Sequence, residues 1–183
     1  ITRSSSGSGG ATPGGTSRVE YDSQGRLTAL IGPLGDRSEV NFNERGLRES
    51  ATDGRGQTSR FSYDLAGRLI RTEYPDGSRE LRSYDAEDNL LTTTDRDGSV
   101  FRYTYDSLGR LLTVEEPGQG VESFEYDLAG RMVSQTDGAG NRTSSSYDAA
   151  GRRVRTTDPS GAISQFEHDS ADRLVRQVDP EGR

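Results

Sequence analysis

The octet "YDSLGRLL" at residues 105–112 decides the fold, because near copies of it recur every 21 residues. The copies include "YDLAGRLI" at 63–70 and "YDLAGRMV" at 126–133. The first position of the octet is held along the chain by Tyr21, Phe42, Tyr63, Tyr84, Tyr105, Tyr126, Tyr147 and His168. These eight positions follow one another without insertion or deletion, which indicates a repeat protein whose units pack on their neighbours.

The composition by itself argues against a packed domain. Leu, Ile, Val and Phe make up 32 of 183 residues, or about 17%. A content below about 20% is typical of disordered chains. A repeat array can fold despite this low apolar content, because each small unit buries its apolar face on the next unit. The regular period therefore predicts a folded array.

Several classes of protein are disfavoured by composition and charge. The chain has no Cys, so it has neither a disulfide framework nor a cysteine-ligated metal site. It lacks both a long apolar run and the apolar segment of a signal peptide, so we expect no membrane interaction. The net charge is −7 and no basic patch stands out, which disfavours nucleic-acid partners. All 23 basic residues are Arg, either to pair with carboxylates across strands or through a codon bias of the genome.

Inside each octet, the pattern Asp-x-x-Gly predicts a tight turn. Asp at the first position of a type I turn accepts hydrogen bonds from backbone amides, and Gly at the end adopts positive φ. The predicted turn residues include Asp64, Gly67, Asp106, Gly109, Asp127, Gly130, Asp148 and Gly151. In two copies Asp88 and Asp172 replace the Gly, and Asp tolerates positive φ better than most residues.

The second half of each repeat carries a similar turn, as in "DPSG" at 158–161 and "DPEG" at 179–182. Two turns per repeat leave about six residues for each strand, and no sustained helical period is present. The sequence therefore predicts an all-β fold of sixteen antiparallel strands in tandem hairpins. A sheet of that width usually curls, so we expect a curved wall.

Aromatic residues concentrate in two columns of the repeat. One column is the first position of the octet, and the other lies two residues earlier, for example at Phe61, Tyr103 and Phe124. Residues two apart on a strand share a face, so we expect structural ladders of rings along one side of the sheet. Leu and other aliphatic residues on the returning strand, such as Leu69 and Ile70, add a thin apolar seam.

The sequence divides into two parts. Residues 1–17 are rich in Ser, Gly and Thr, which is typical of a flexible linker. Residues 18–183 form eight repeats with no polar cap at either end, and we expect them to be a fragment of a longer array.

The unit that reads "YDSLGRLL…EEPGQGVESFEYD" resembles the YD repeat of the Rhs family. The resemblance covers about residues 18–183, with local departures at 42–48, 84–90 and 168–174. It implies a hollow β-cocoon that encloses a C-terminal toxin, as in bacterial Rhs polymorphic toxins, insecticidal Tc toxin subunits, wall-associated toxins and teneurins. It also implies a bacterial protein that is secreted or delivered into a target cell, for instance by type VI secretion, in interbacterial or host-directed competition.

The implied partners are the rest of the same shell and the enclosed toxin, with spike or adaptor proteins of a secretion machine as further candidates. The self-cleaving aspartate site and the toxin domain of the family are not recognisable in the sequence. Asp158-Pro159 and Asp179-Pro180 are repeat turns, and the protease role is not carried over to them.

No residue stands out as catalytic, cofactor-binding or metal-binding, so we expect no enzyme activity and no cofactor. His168 is the single His and occupies the Tyr column, where a structural substitution is the simplest explanation. "DRDG" at 95–98 resembles the start of a calcium loop, but Val100 stands where that loop needs Gly. The sequon "NRT" at 141–143 matters only in a eukaryotic secretory setting.

Two functions remain open at this point. In the first, the segment is a structural part of the toxin-enclosing wall. In the second, Tyr and Phe rings that face outward bind carbohydrate, because aromatic rings stack well on sugars. A strict register without loop insertions favours the wall.

Overall fold

The computed structural model describes residues 15–183, and the regular secondary structure in this range is entirely β-strand. The strands are β1 (Arg18–Tyr21), β2 (Leu27–Ile31), β3 (Arg37–Phe42), β4 (Arg48–Thr52), β5 (Thr58–Tyr63), β6 (Leu69–Glu73), β7 (Arg79–Tyr84), β8 (Leu90–Thr94), β9 (Val100–Tyr105), β10 (Leu111–Glu116), β11 (Gly120–Tyr126), β12 (Met132–Thr136), β13 (Arg142–Tyr147), β14 (Arg153–Thr157), β15 (Ile163–His168) and β16 (Leu174–Val178). The all-β class and the tandem hairpins are confirmed. No helix in the described range is long and apolar enough to cross a membrane.

The described chain forms two compact units, one of residues 15–82 and 94–98, the other of residues 83–93 and 99–183. In the first unit each strand from β1 to β7 pairs antiparallel with the next strand. In the second unit the same holds from β9 to β16. Strand order therefore follows chain order within each unit, as a β-meander requires. Most of the linker predicted for residues 1–17 lies outside the described residues, and the first strand begins at Arg18.

Seven of the octet hairpins contain a β-bulge at the same place. Tyr63 pairs with Leu69 while Ser62 pairs with Arg71, which leaves Ile70 as an extra residue on the returning strand. The same shift occurs in the pairs β1–β2, β3–β4, β9–β10, β11–β12, β13–β14 and β15–β16. A bulge bends its strand and increases the local twist. Each of these repeats thus contains one local bend, at its octet hairpin and set by the backbone register.

The two faces of the sheet differ in chemistry. Residues that pair across strands share a face, so each face can be followed from strand to strand. On the aromatic face, defined by the two aromatic columns and their partners, Tyr103 lies opposite Val114 and Phe61 opposite Thr72. The opposite face, here the charged face, has ion pairs. Examples are Arg37 with Glu20 at 2.8 Å and Arg142 with Glu125 at 2.7 Å. Exposed pairs of this kind contribute little stability each.

Very little of the described chain is fully buried. The buried residues are Ala29, Thr72 and Ser134, and aliphatic residues of the predicted seam such as Leu27 and Met132 keep about two fifths of their surface exposed. Large exposed areas are expected for a single layer of strands that packs only on its sequence neighbours. Stability must therefore come from contacts that link one repeat to the next.

Candidate functional site: the aspartate turns and their arginines

The octet turns have the geometry that the sequence predicts. The Gly109 amide donates to the Asp106 carbonyl at 3.0 Å, and the Asp106 amide donates to the Arg110 carbonyl at 2.9 Å. Gly109 has φ of 76°, in the left-handed region that costs other residues energy. Positive φ is also found at Gly67, Gly130, Gly151, Asp88 and Asp172. The two Asp substitutions therefore keep the backbone of the turn.

The Asp side chain holds the turn from inside. Oδ1 of Asp106 accepts hydrogen bonds from the amides of Leu108 and Arg110, and its Oδ2 accepts one from Arg110 Nε at 2.6 Å. The backbone bond from Arg110, followed by its guanidinium bond, lowers the pKa of Asp106 below its ordinary value. The same double role is seen at Asp22, Asp127, Asp148 and Asp169. The Asp carboxylates are therefore ionised parts of the turn at neutral pH.

The Arg that ends the turn also reaches the following repeat. Nη1 of Arg110 donates to the Asp127 carbonyl at 3.2 Å, and Arg131 donates to the Asp148 carbonyl at 3.0 Å. Arg152 makes the same bond to the Asp169 carbonyl at 2.7 Å. One guanidinium thus joins the carboxylate of its own turn to the backbone of the next.

The same guanidinium lies over the aromatic ring of the following repeat. The centroid distance is 4.8 Å from Arg110 to Tyr126 and from Arg131 to Tyr147, and 4.3 Å from Arg26 to Phe42. At this distance a cation is attracted to the face of the ring. Tyr147 is fixed further, because its hydroxyl donates to the Met132 carbonyl at 2.7 Å.

Strand spacing explains why an Arg, and not the preceding ring, covers each of these rings. Rings of successive octets are two strands apart, or about 9.6 Å at about 4.8 Å per strand. That exceeds the usual separation of about 4.5 to 7 Å for direct contact between rings. In these repeats a planar guanidinium covers the ring instead. We call these cation–aromatic pairs the Arg–Tyr stack (Arg26/Phe42, Arg110/Tyr126 and Arg131/Tyr147).

One departing octet keeps the link by another route. In the repeat that begins at Phe42, Leu47 stands in the usual Arg position. Arg45 from within the turn donates instead to the carbonyls of Asp64 and Leu65 at 2.8 and 2.9 Å. The turn itself is intact, since Asn43 Oδ1 accepts the amides of Arg45 and Leu47, each at 3.0 Å.

His168 lies at the end of β15 and pairs with Leu174, in the position that Tyr holds elsewhere. Its Nδ1 is buried and has no hydrogen-bond partner within residues 15–183. No group of three or more potential metal-ligating side chains occurs in that range. In the turn considered for calcium, Arg96 stacks on Tyr74 at 4.3 Å and pairs with Asp76 at 2.5 Å.

An open groove of about 730 Å³ lies beside this turn in the first unit. Val40, Ala51, Asp53, Tyr74 and Arg96 are among its lining residues. The Tyr74 hydroxyl donates to Glu80 at 2.8 Å. Sequence reasoning missed this cluster, although "YPDG" at 74–77 has an aromatic residue in the position where most second turns have Asp.

These turns, bulges and stacks define a tandem β-hairpin repeat protein. The profile of the RHS Repeat family matches residues 42–79, 84–121, 106–143, 126–163 and 147–183. Since these matches cover well over half of the chain, the chain belongs to the RHS repeat family. The resemblance seen in the sequence is thereby confirmed.

The chain is also similar to solved toxin structures. The crystal structure of TcdB2-TccC3-TEV and the Photorhabdus luminescens Tc holotoxin pore each match at 16% identity with a TM-score of 0.46. In both cases the match covers 89% of this chain and 14% of the other. The chain thus spans about one seventh of the proteins it resembles. Among curated proteins none matches.

Proposed function

We propose that the repeats are a structural segment of a shell wall that encloses a C-terminal toxin domain. The observation that carries the proposal is membership of the RHS repeat family together with an insertion-free array of hairpins. A wall needs a continuous surface without weak loops, and the turns here are short and internally hydrogen-bonded. Neighbouring repeats are joined by backbone pairing, as between β12 and β13. In several repeats an arginine adds a side-chain bond to the next repeat, as from Arg131 to the Asp148 carbonyl.

The segment acts in this proposal as a scaffold and not as an enzyme. General acid–base catalysis at neutral pH favours groups whose pKa lies near 7. The Asp carboxylates have pKa values shifted in the opposite direction by backbone bonds and arginines, as at Asp64 and Asp148. Their oxygens are engaged in the turns that they hold.

The second part of the proposal concerns the partners and the delivery of the protein. The partners would be the remaining shell, the enclosed toxin and a spike or adaptor of a secretion machine. The protein would be secreted by a bacterium or delivered into a target cell, in competition with other bacteria or against a host.

Carbohydrate binding by the Tyr column is less well supported. A sugar stacks on an open ring face, whereas a guanidinium already covers one face of the rings of Phe42, Tyr126 and Tyr147. Regular spacing also differs from the few concentrated anchors of a recognition site.

The wall can be tested in the full-length protein that carries the array. Tyr147→Ala removes a ring that packs in the Arg–Tyr stack. We expect this variant to make the shell protease-sensitive and the protein toxic to its producing cell, with Ser146→Ala on the exposed strand surface as a matched control. Saturable oligosaccharide binding that Tyr147→Ala abolishes, with protease resistance unchanged, would instead establish the carbohydrate function.

A further inference from the structure

One octet lacks the arginine side chain that links an octet to the next. In the repeat that begins at Tyr84, Asn89 replaces the Arg of the other octets. Its backbone amide donates to Asp85 Oδ1 at 2.8 Å and its Nδ2 to Asp85 Oδ2 at 2.9 Å. Asn89 therefore reproduces the bonds within the turn, but within residues 15–183 it makes no hydrogen bond to the following repeat.

In the place of that arginine side chain, a cavity of about 510 Å³ lies within the second unit. Its lining residues include Glu87, Asn89, Leu91, Tyr103, Tyr105 and Gly109. Among residues 15–183, no arginine stacks on the half-buried Tyr105 ring, whereas Tyr126 and Tyr147 each have one at 4.8 Å. The Asp106 carbonyl accepts only the Gly109 amide in that range, whereas the Asp127 and Asp148 carbonyls each also accept an arginine.

The charge of this gap suits a cation. Asp85, Glu87 and Asp106 line it; Asp85 accepts bonds from Asn89 and Asp106 pairs with Arg110, each within its own turn, and Glu87 adds a further negative charge. Burial, with smaller contributions from Tyr103 and Asp85, raises the pKa of the Tyr105 hydroxyl, so the ring stays a neutral phenol at physiological pH. The gap therefore offers a ring face, a carbonyl oxygen and a negative rim.

We propose that the gap between Asn89 and Tyr105 is a binding site for an arginine side chain of a second polypeptide. The guanidinium would lie on the Tyr105 ring and donate to the Asp106 carbonyl, in the place that Arg110 and Arg131 hold in the following repeats. Arginine fits better than lysine, because its planar fork stacks on a ring and still donates in its own plane. Glu87, exposed at the rim, would attract the positive charge.

The test uses the full chain with N-acetyl-arginine amide as probe and N-acetyl-lysine amide as its matched control. The ring signals of Tyr105 are followed by NMR and assigned by their loss in Tyr105→Leu. We expect saturable shifts of the Tyr105 signals with the arginine probe, and binding about tenfold weaker with the lysine probe.

Two substitutions separate the gap from general surface binding. Asn89→Arg supplies the missing arginine side chain, so it should weaken probe binding about tenfold or more and raise Tm by about 2 to 4 °C. Asn89→Ala leaves the gap open and should bind the probe within about twofold of the parent. Equal probe binding by Asn89→Arg and the parent, equal binding of the two probes, or no response of Tyr105 would each overturn the proposal.

Discussion

Two octets of the second unit, at Tyr84–Leu91 and Tyr126–Val133, share a turn backbone but differ in how they contact the next repeat. Asp88 and Gly130 have φ of 69° and 82°, so both turns close in the same way. Arg131 then reaches the Asp148 carbonyl and the Tyr147 ring, while Asn89 remains within its own turn. This difference indicates that Asp and a positive-φ residue form the hairpin, whereas Arg joins the hairpins.

The largest expected effect on stability comes from removing the Tyr rings that begin the octets following these two. Tyr147→Ala removes a ring that packs under Arg131 and a hydroxyl bond to the Met132 carbonyl. We expect a loss of about 3 kcal/mol in the free energy of unfolding. Tyr105→Ala, which removes a ring without a stacked cation, should cost about 1 kcal/mol less. Urea unfolding followed by far-UV circular dichroism measures both values, and equal losses would contradict the comparison.

The next effect concerns the turns themselves. Gly109→Val places a β-branched residue at φ of 76°, which should cost about 2 kcal/mol of backbone strain. Asp88→Gly relieves a strained position of the same kind and should be neutral or stabilising by up to about 1 kcal/mol. Thermal unfolding of both variants provides the check. If neither changes Tm, positive φ is not what closes these turns.

A smaller effect is expected for the side chains that end the turns. Arg131→Ala removes one charge-assisted bond within its turn, one bond to the next turn and one cation–π contact. These are partly exposed, so we expect a loss of about 1.5 kcal/mol. Asn89→Ala removes only the bond from its Nδ2 to Asp85, within its own turn, and should cost about 0.5 kcal/mol. Hydrogen exchange at the amides of β13 should quicken in Arg131→Ala, and no local change there would count against a link between repeats.

The smallest effect at neutral pH should come from the Asp carboxylate. Asp106→Asn keeps an acceptor for the turn amides, as Asn43 shows in another octet, but loses the ionised partner of Arg110. The pKa of Asp106 is lowered from 3.8 in the folded chain. Its contribution is therefore present above pH 3.8 and is lost as pH falls through the lower folded value.

The difference in stability between the parent and Asp106→Asn should accordingly shrink on acidification. Denaturant midpoints measured between about pH 7 and pH 2 follow it. A difference that stays constant over the whole range would show that the charge of Asp106 does not support the turn.

Much of the fold was predictable because its signals are local. Asp106 and Gly109 lie three residues apart, and the turn they form depends on nothing outside it. The bulge also had a local signal, since consecutive aliphatic residues at Leu69 and Ile70 break the alternation of a regular strand.

The role of Arg was not predictable from its own surroundings. Arg131 lies 17 residues before Asp148 and 16 before Tyr147, and their contact follows only from the strand spacing. The flat face of an Arg suits aromatic rings in general, but nothing in the sequence near Arg131 shows which ring it covers. Long-range contacts of this kind require the register of the sheet before they can be derived.

A double-mutant cycle between Arg131 and Tyr147 measures the link between two successive repeats directly. Single and double substitutions, Arg131→Ala and Tyr147→Leu, give the coupling energy, and Asn89→Ala with Tyr105→Leu is the matched cycle. We predict a coupling of about 0.5 to 1 kcal/mol for the first pair and none beyond error for the second. A first cycle without coupling, or equal coupling in both cycles, would contradict the claim that the arginines join successive repeats.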